Sequence, residues 1–271
     1  MAVIRIEDPC DVRVAPFRDV HDRDLIGRSG RFMAEGEVVL RVLLSAASRC
    51  AVEAILLAEN RAEKLGDALD AVKNHRPVYI APQAVLDEVA GFHLHRGILA
   101  LGIRPETSGL DALLREAPQR SAVVVVCGVG NHDNIGGVFR NAAALGASGV
   151  ILDDRCCDPF YRKAIRVSVG AVLRTPMATG VDAAAALEAL AAEGFDLVAL
   201  TPGATTTLSG LELGDRVAIV LGSEGPGLPA DLIARCQAAS IPMSGGFDSL
   251  NVATAGAIAL EHITGKLGLR G

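Results

Sequence analysis

The chain has 271 residues, half of them hydrophobic, which is enough for one large or two ordinary domains with a sizeable core, and it reads as a soluble globular protein. Its 32 acidic residues outnumber its 26 lysines and arginines, a formal net charge of −6 that excludes a general basic coat for nucleic acid and leaves any phosphate contact to local clusters. No uninterrupted apolar run reaches the ~18 residues that span a bilayer, and the opening MAVIRIEDPCDVR is too acidic for a secretory signal, so no membrane partner and a cytoplasmic location are expected.

In chain order, the arginine-rich head from Arg13 to Arg31 comes first, but interleaved acidic residues largely cancel its field. From Glu35 to Ile103 helical and extended periods alternate: a helix near 36–47, a strand VEAILLA from Val52, a helix from Ala62, a strand PVYIA, a helix from Pro82 and a strand GILALGI. This predicts a small α/β domain over residues 1–105. Pro105 and Pro118 bracket the short helical pattern GLDALLREA, so 106–120 reads as a linker or connecting helix.

From Ser121 to 271 the alternation strengthens: a strand AVVVVC, a loop and helix, a strand GVILD, helices near 161–171 and 183–193, strands DLVAL and VAIVL, a helix from Pro229, a strand ASIPM and a last helix from Leu250. Continuous valine and isoleucine runs separated by helices predict an α/β domain with a mostly parallel sheet covered on both faces. The six cysteines (Cys10, Cys50, Cys127, Cys156, Cys157 and Cys236) show no CxxC spacing and read as reduced thiols.

Three segments join the end of an apolar strand to a helix start, where open α/β sheets gather their ligands: NHDNIGGVFRNAAALG (131–146), VLGSEGPGLP (220–229) and IPMSGGFDSLNVATAGAIAL (241–260). In the first, Ile135, Val138, Phe139 and Ala142 mark a buried stripe that Gly136, Arg140 and Asn141 avoid. Asn134 is placed as an N-cap, and Arg140 offers a planar fork of donors for phosphate or ribose oxygens, or else an exposed charge. Gly128, Gly130 and Asp133 also half-match a dinucleotide fingerprint, with Asp153 where a ribose-binding acid would lie; the third glycine is missing, which leaves an NAD-dependent oxidoreductase as the alternative.

The second segment places Glu224 among Gly222, Gly225 and Gly227, whose lack of side chains lets backbone approach a planar base, while Glu224 either caps a helix or handles a charged or hydroxylated ligand. No Gly-Lys-Ser/Thr follows, so it is not a P-loop. In the third, Ser244, Gly245, Gly246, Phe247, Asp248 and Ser249 precede Leu250 and Asn251. Ser249 reads as the N-cap, and Asn251, a poor helix former inside the first turn, points to a ligand or partner contact. Between the loops, Arg155, Arg162, Lys163, Arg166 and Arg174 are opposed only by Asp158 within their stretch, as either an RNA contact or a solvated face.

These three segments, in this order, resemble the motifs of the SpoU (TrmH-like) family within the SPOUT class of S-adenosylmethionine-dependent RNA methyltransferases, over Ser121 to about Gly268. CDPFYRKAIRVSVGAV is similar to the family's connecting segment, and FMAEGEVVLRVLL with HLHRGILALG is similar to the ribosomal-protein-like substrate-binding domain often placed in front. The resemblance implies a deep trefoil knot, S-adenosylmethionine as cofactor, a ribosomal or transfer RNA substrate methylated on a ribose 2′-hydroxyl, no metal, and an active site built across a homodimer. Carried over by position, Asn134 and Arg140 would hold and activate the ribose, Glu224 would support them, and Ser249 and Asn251 would complete the site. Leu221, Gly222, Glu224, Gly225, Gly227, Ile241, Met243, Ser249, Leu250 and Asn251 would enclose the cofactor. With RNA as substrate, the basic cluster read from the local charge pattern, Arg155, Arg162, Lys163 and Arg166, is the expected RNA contact. Many relatives carry Thr or Ser where this chain has Asn141. Since the arginine pKa exceeds ~12, Arg140 would act either deprotonated in a tuned site or as a stabiliser of the developing alkoxide. A catalytically silent RNA-binding relative is the remaining alternative.

Overall fold

The computed structural model describes residues 3–18, 30–70, 72, 75–106, 109–244 and 248–269. Most of the arginine-rich head and Gly245, Gly246 and Phe247 of the third loop lie outside the described residues. The chain divides into two compact units, 1–106 with 159–174, and 107–158 with 175–271.

In the first unit β1 (Ile4–Arg5), β2 (Arg31–Glu35), β3 (Ala51–Ala58), β4 (Val78–Ala81) and β5 (Ile98–Ile103) form a mixed sheet in the order β1-β4-β3-β5-β2. Helices α1 (Glu37–Leu44), α2 (Glu59–Ala62), α3 (Gly66–Asp70) and α4 (Gln83–Ala90) connect them. Each turn has a local cause. Gly36, at φ +93, lets β2 pass directly into α1, and Gly91, in the left-handed region at φ +76, closes α4. The sequence pattern misses β2 because four of its five residues are buried, so RFMAE shows no polar alternation. The helix expected from Ala62 starts earlier, at Glu59, and a 3-10 turn at Glu63–Leu65 breaks it into α2 and α3.

In the second unit β6 (Ser121–Val126), β7 (Gly149–Asp153), β8 (Met177–Val181), β9 (Asp196–Leu200), β10 (Arg216–Leu221) and β11 (Gln237–Ala239) form an all-parallel sheet in the order β11-β9-β10-β6-β7-β8. Its helices are α5 (Leu110–Glu116), α6 (His132–Ala144), α8 (Ala183–Ala192), α9 (Ala230–Ile233) and α10 (Val252–Leu267), while the intervening α7 (Arg162–Val167) belongs to the first unit, against β2. Leu113 and Leu114 of α5, within the stretch read as a linker, are buried in this unit's core beside Leu187 and Leu190.

Three expectations are corrected in these units. The helix near 161–171 stops at Val167, because Val169 (φ +55) and Gly170 (φ +82) leave the right-handed region. The strand expected at ASIPM lies earlier, at Gln237–Ala239, and the helix from Pro229 is a single turn. β8 was not anticipated at all.

The chain lays down β6, β7 and β8 in one direction, then crosses to β9 and returns to set β10 beside β6. The order therefore reverses between β6 and β10, and a crevice at the carboxyl ends of these two strands follows from topology alone. Two glycines bring α10 onto that point: a Cβ on Gly256 would lie 2.8 Å from Leu221 Cδ1, and one on Gly137 of α6 would lie 2.8 Å from the Ala253 Cβ.

Candidate functional site

At the strand reversal the three loops meet. Asn134 is buried in the first turn of α6, and its Nδ2 donates to Glu224 Oε1 at 2.8 Å. Asn251 Nδ2 donates to Asn134 Oδ1 at 2.8 Å and to Glu224 Oε1 at 3.2 Å. One residue from each loop thus closes a ring of hydrogen bonds, with both amides donating to one oxygen of an exposed carboxylate.

The helix caps differ from expectation. Asn131, not Asn134, caps α6, accepting from the Asp133 N–H at 2.8 Å, which releases the Asn134 side chain for the ring. Asn251, not Ser249, caps α10, its Oδ1 accepting from the Ala253 and Thr254 N–H groups at 3.0 and 3.3 Å. It therefore stands just before the helix, where its low helix propensity costs nothing. Asn141 donates to the Ala253 carbonyl at 2.8 Å, so it ties α6 to the same first turn of α10.

Beside this ring lies a cavity of about 530 Å³ at the ends of β9, β10 and β11. Leu221, Gly222, Glu224, Gly225 and Gly227 form one wall, and Ile241, Met243, Ser249, Leu250 and Asn251 another. Gly222 is obligatory: any Cβ there would sit 2.4 Å from the Gly227 carbonyl carbon and the Leu228 nitrogen, both backbone atoms. Gly225 and Gly227 hold φ of +85 and +70, so the turn is a backbone surface without side-chain obstruction. Beyond the expected residues the lining takes in Ser223, Leu228, Ala239, Val252 and Ala255, and Leu200, Thr201 and Pro202 at the end of β9. The available signal was that DLVAL is one more apolar strand ending in this row.

Arg140 is exposed on α6, does not line the cavity and has no hydrogen-bond or ion-pair partner among the described residues. The basic stretch is less free than its local sequence suggests. Arg155 pairs with Asp153 at 3.1 Å in the second unit. In the first unit, Arg162 and Arg166 lie 4.0 and 3.7 Å from the buried Glu35, and Arg162 also covers the Phe92 ring at 4.6 Å. Lys163 is exposed and engaged, and Arg174 is exposed at the end of the stretch. The expectation of Asp158 as the sole opposing charge is thereby corrected, because Glu35 comes from a strand distant in sequence and Asp153 ends β7 just before the stretch.

Asp153, the candidate ribose-binding acid of the oxidoreductase alternative, is occupied by its own protein: it accepts from the Gly128 N–H at 2.9 Å and faces Arg155. Burial pushes the Cys127 thiol, at the end of β6, up to about 12, so it stays protonated and apolar in the core. Among the described residues no three His, Cys, Asp or Glu side chains gather as a metal site.

Residues 121–261 match the SpoU rRNA Methylase family model. The chain is 39% identical over 267 residues to uncharacterized tRNA/rRNA methyltransferases of Mycobacterium bovis and Mycobacterium tuberculosis, covering 95% of this chain and 90% of each relative. Its fold is similar to an AdoMet-bound rRNA methyltransferase from Sinorhizobium meliloti (TM-score 0.82, 24% identity, 98% of each chain). It is also similar to an RNA 2′-O ribose methyltransferase (TM-score 0.77, 26% identity, 98% of this chain and 100% of that one).

Proposed function

The chain belongs to the SpoU rRNA methylase family and is an RNA methyltransferase of that class; from that premise we propose that its donor is S-adenosylmethionine, held in the cavity, and its acceptor a ribose 2′-hydroxyl of structured ribosomal or transfer RNA. One observation carries this reading. The Asn134–Glu224–Asn251 ring stands at the mouth of a glycine-walled cavity at the sheet's reversal point.

The lining fits such a donor. Its volume lies in the ~300–1,000 Å³ range of small-molecule sites. Gly222, Gly225 and Gly227 offer bare backbone to a planar base, and Leu221, Ile241, Leu250 and Val252 exclude water from an apolar body. When bound, the donor supplies a methyl group on an electrophilic sulfonium.

The chain's own task is orientation and charge. A ribose hydroxyl is a poor nucleophile until its proton leaves, and methyl transfer requires approach in line with the departing sulfur, so positioning supplies much of the acceleration. The amides of Asn134 and Asn251 and the free oxygen of Glu224 are suited to hold ribose oxygens. Arg140 would meet the developing alkoxide, either taking its proton or stabilising its charge. Its exposure, apart from the ring, supports a site completed by a second copy of the chain.

The 26%-identical 2′-O ribose methyltransferase supports ribose over base as acceptor. Transfer of a labelled methyl group to ribosomal and transfer RNA, followed by alkaline hydrolysis, tests it. A methylated 2′-oxygen cannot attack the adjacent phosphodiester, so label is expected in alkali-resistant dinucleotides. Label confined to free mononucleotides, with the methyl on a base, would overturn the reading. Full transfer by a normally folded Arg140→Ala would remove the proposed role of Arg140.

A further inference from the structure

The carboxylate of Asp153 is 1% exposed at the end of β7, a place where an apolar side chain would cost less. Its Oδ1 accepts from the Gly128 and Arg155 N–H groups at 2.9 and 3.1 Å, and its Oδ2 receives the Arg155 guanidinium at 3.1 Å. Next to it, Cys156 Sγ donates to the Val126 carbonyl at 3.3 Å and accepts from the Val129 N–H at 3.4 Å. The Cys157 N–H donates to the Val129 carbonyl at 3.0 Å. The loop after β7 therefore grips every residue from Val126 to Val129 except Cys127, whose N–H is bound to Leu221 of β10 at 2.8 Å.

What is gripped matters. Gly128 holds φ +68, and its Cα faces the Ser223 side chain, with a Cβ built there 3.8 Å from the Ser223 Cβ, directly before Glu224. Three residues further on, Asn131 caps α6 and fixes where Asn134 stands. Burial raises the Cys156 thiol pKa, so the thiol remains a donor to Val126.

We infer that Asp153 and Cys156 are positioning residues: together they clasp the loop 127–131 and so set Asn134 against Glu224 and Asn251. The inference rests on the proposed function for its kinetic consequence, but not for its structural one. Asp153 touches neither cavity nor ring; it acts through the backbone of Gly128.

The test compares Asp153→Ala, Asp153→Asn, Cys156→Ala and Cys156→Ser in the full chain. Amide hydrogen exchange at Gly128 and Val129 is expected to accelerate in both alanine variants. In Asp153→Ala, kcat for RNA methylation should fall about 10- to 100-fold, as for a slightly misplaced catalytic group. Asn134 does not line the cavity, so the calorimetric Kd for S-adenosylhomocysteine should stay within about threefold. Asparagine, which keeps an acceptor for the Gly128 N–H, should restore most of kcat, and serine should do the same at 156.

Unchanged exchange at both amides would overturn the inference. So would unchanged kcat despite faster exchange, or a loss of melting temperature and cofactor affinity with kcat intact, which marks a purely structural residue. If Asp153→Ala does not fold, Cys156→Ala, which removes two bonds and no charge, decides by the same readouts. If the wild-type chain methylates no RNA, the functional reading fails, and the exchange measurement still judges the clasp.

Discussion

The three loops and the arginine-bearing stretch from Arg155 to Arg174 both carry polar side chains between strands, yet they solve opposite problems. In the loops, two neutral amides spend their donors on a single carboxylate oxygen and leave the other oxygen of Glu224 without a partner among the described residues. In the stretch, Arg155, Arg162 and Arg166 each find a carboxylate, and the buried Glu35 takes two of them. A surplus of charge in a short segment says little about what is available to a ligand, because its counter-charge arrives from elsewhere in the fold. Convergence of separate strand ends says more, since side chains from three loops meet at one carboxylate oxygen.

The greatest loss follows from filling the cavity wall. Gly222→Ala puts a methyl group against backbone atoms that cannot rotate away. The turn must move, and an overpacking cost of up to ~3 kcal/mol at the cavity corresponds to roughly 100-fold weaker S-adenosylhomocysteine binding by calorimetry. Binding within about threefold of wild type would refute the cavity assignment. A smaller loss, and a different one, follows from Glu224→Gln. The two amide donors lose a charge-assisted acceptor worth about twice a neutral one. Methyl transfer should drop on the order of 10- to 30-fold in kcat with a smaller change in cofactor Kd, because the substitution keeps the shape of the cavity wall and removes only its charge.

Much of this contrast was legible in the sequence, and for different reasons. GVILD and DLVAL have the expected bounds as β7 and β9, since buried parallel strands are continuous β-branched runs closed by turn residues. The cavity wall after β10 was also in view, because glycines at a strand end leave bare backbone for a ligand. Caps were misassigned by two or three residues at both Asn134 and Asn251. Several short polar residues compete to cap each helix, and only tertiary pairing decides among them. Glu35 was invisible as a counter-charge: it ends β2, a strand whose burial erased its pattern, and its partners lie beyond the next five strands. The path from the sheet's reversal point to Thr201 and Pro202 needed the strand order, which no local pattern contains.

Asn141 sharpens the contrast from the packing side. Its amide supplies one bond to the Ala253 carbonyl, in the turn that Asn251 caps. Asn141→Ala should lower stability by about 1 kcal/mol, read from urea denaturation, with a kcat loss of only about two- to fivefold. A far larger fall in kcat would mean that Asn141 itself meets substrate.

The smallest effect belongs to the arginine stretch, and its sign is informative. At 4.0 and 3.7 Å the two arginines sit at the limit of ion pairing with Glu35, so the carboxylate offsets their field without fixing either side chain by a hydrogen bond. Arg162 and Arg166 are 26% and 41% exposed, so Arg166 is the more open of the two to solvent. Because Glu35 offsets part of its field, Arg166→Ala should weaken RNA binding about two- to threefold and reduce the salt slope by less than the ~1 expected of a full phosphate contact. Glu35→Gln should do the reverse, tightening binding by a similar factor and steepening the slope, since it removes the counter-charge that faces both arginines. A tightening in Glu35→Gln that vanishes in the Glu35→Gln, Arg166→Ala double variant would assign the gain to Arg166. Insensitivity of both variants to salt would make the stretch a solvated face, with the recognition of RNA left to other residues.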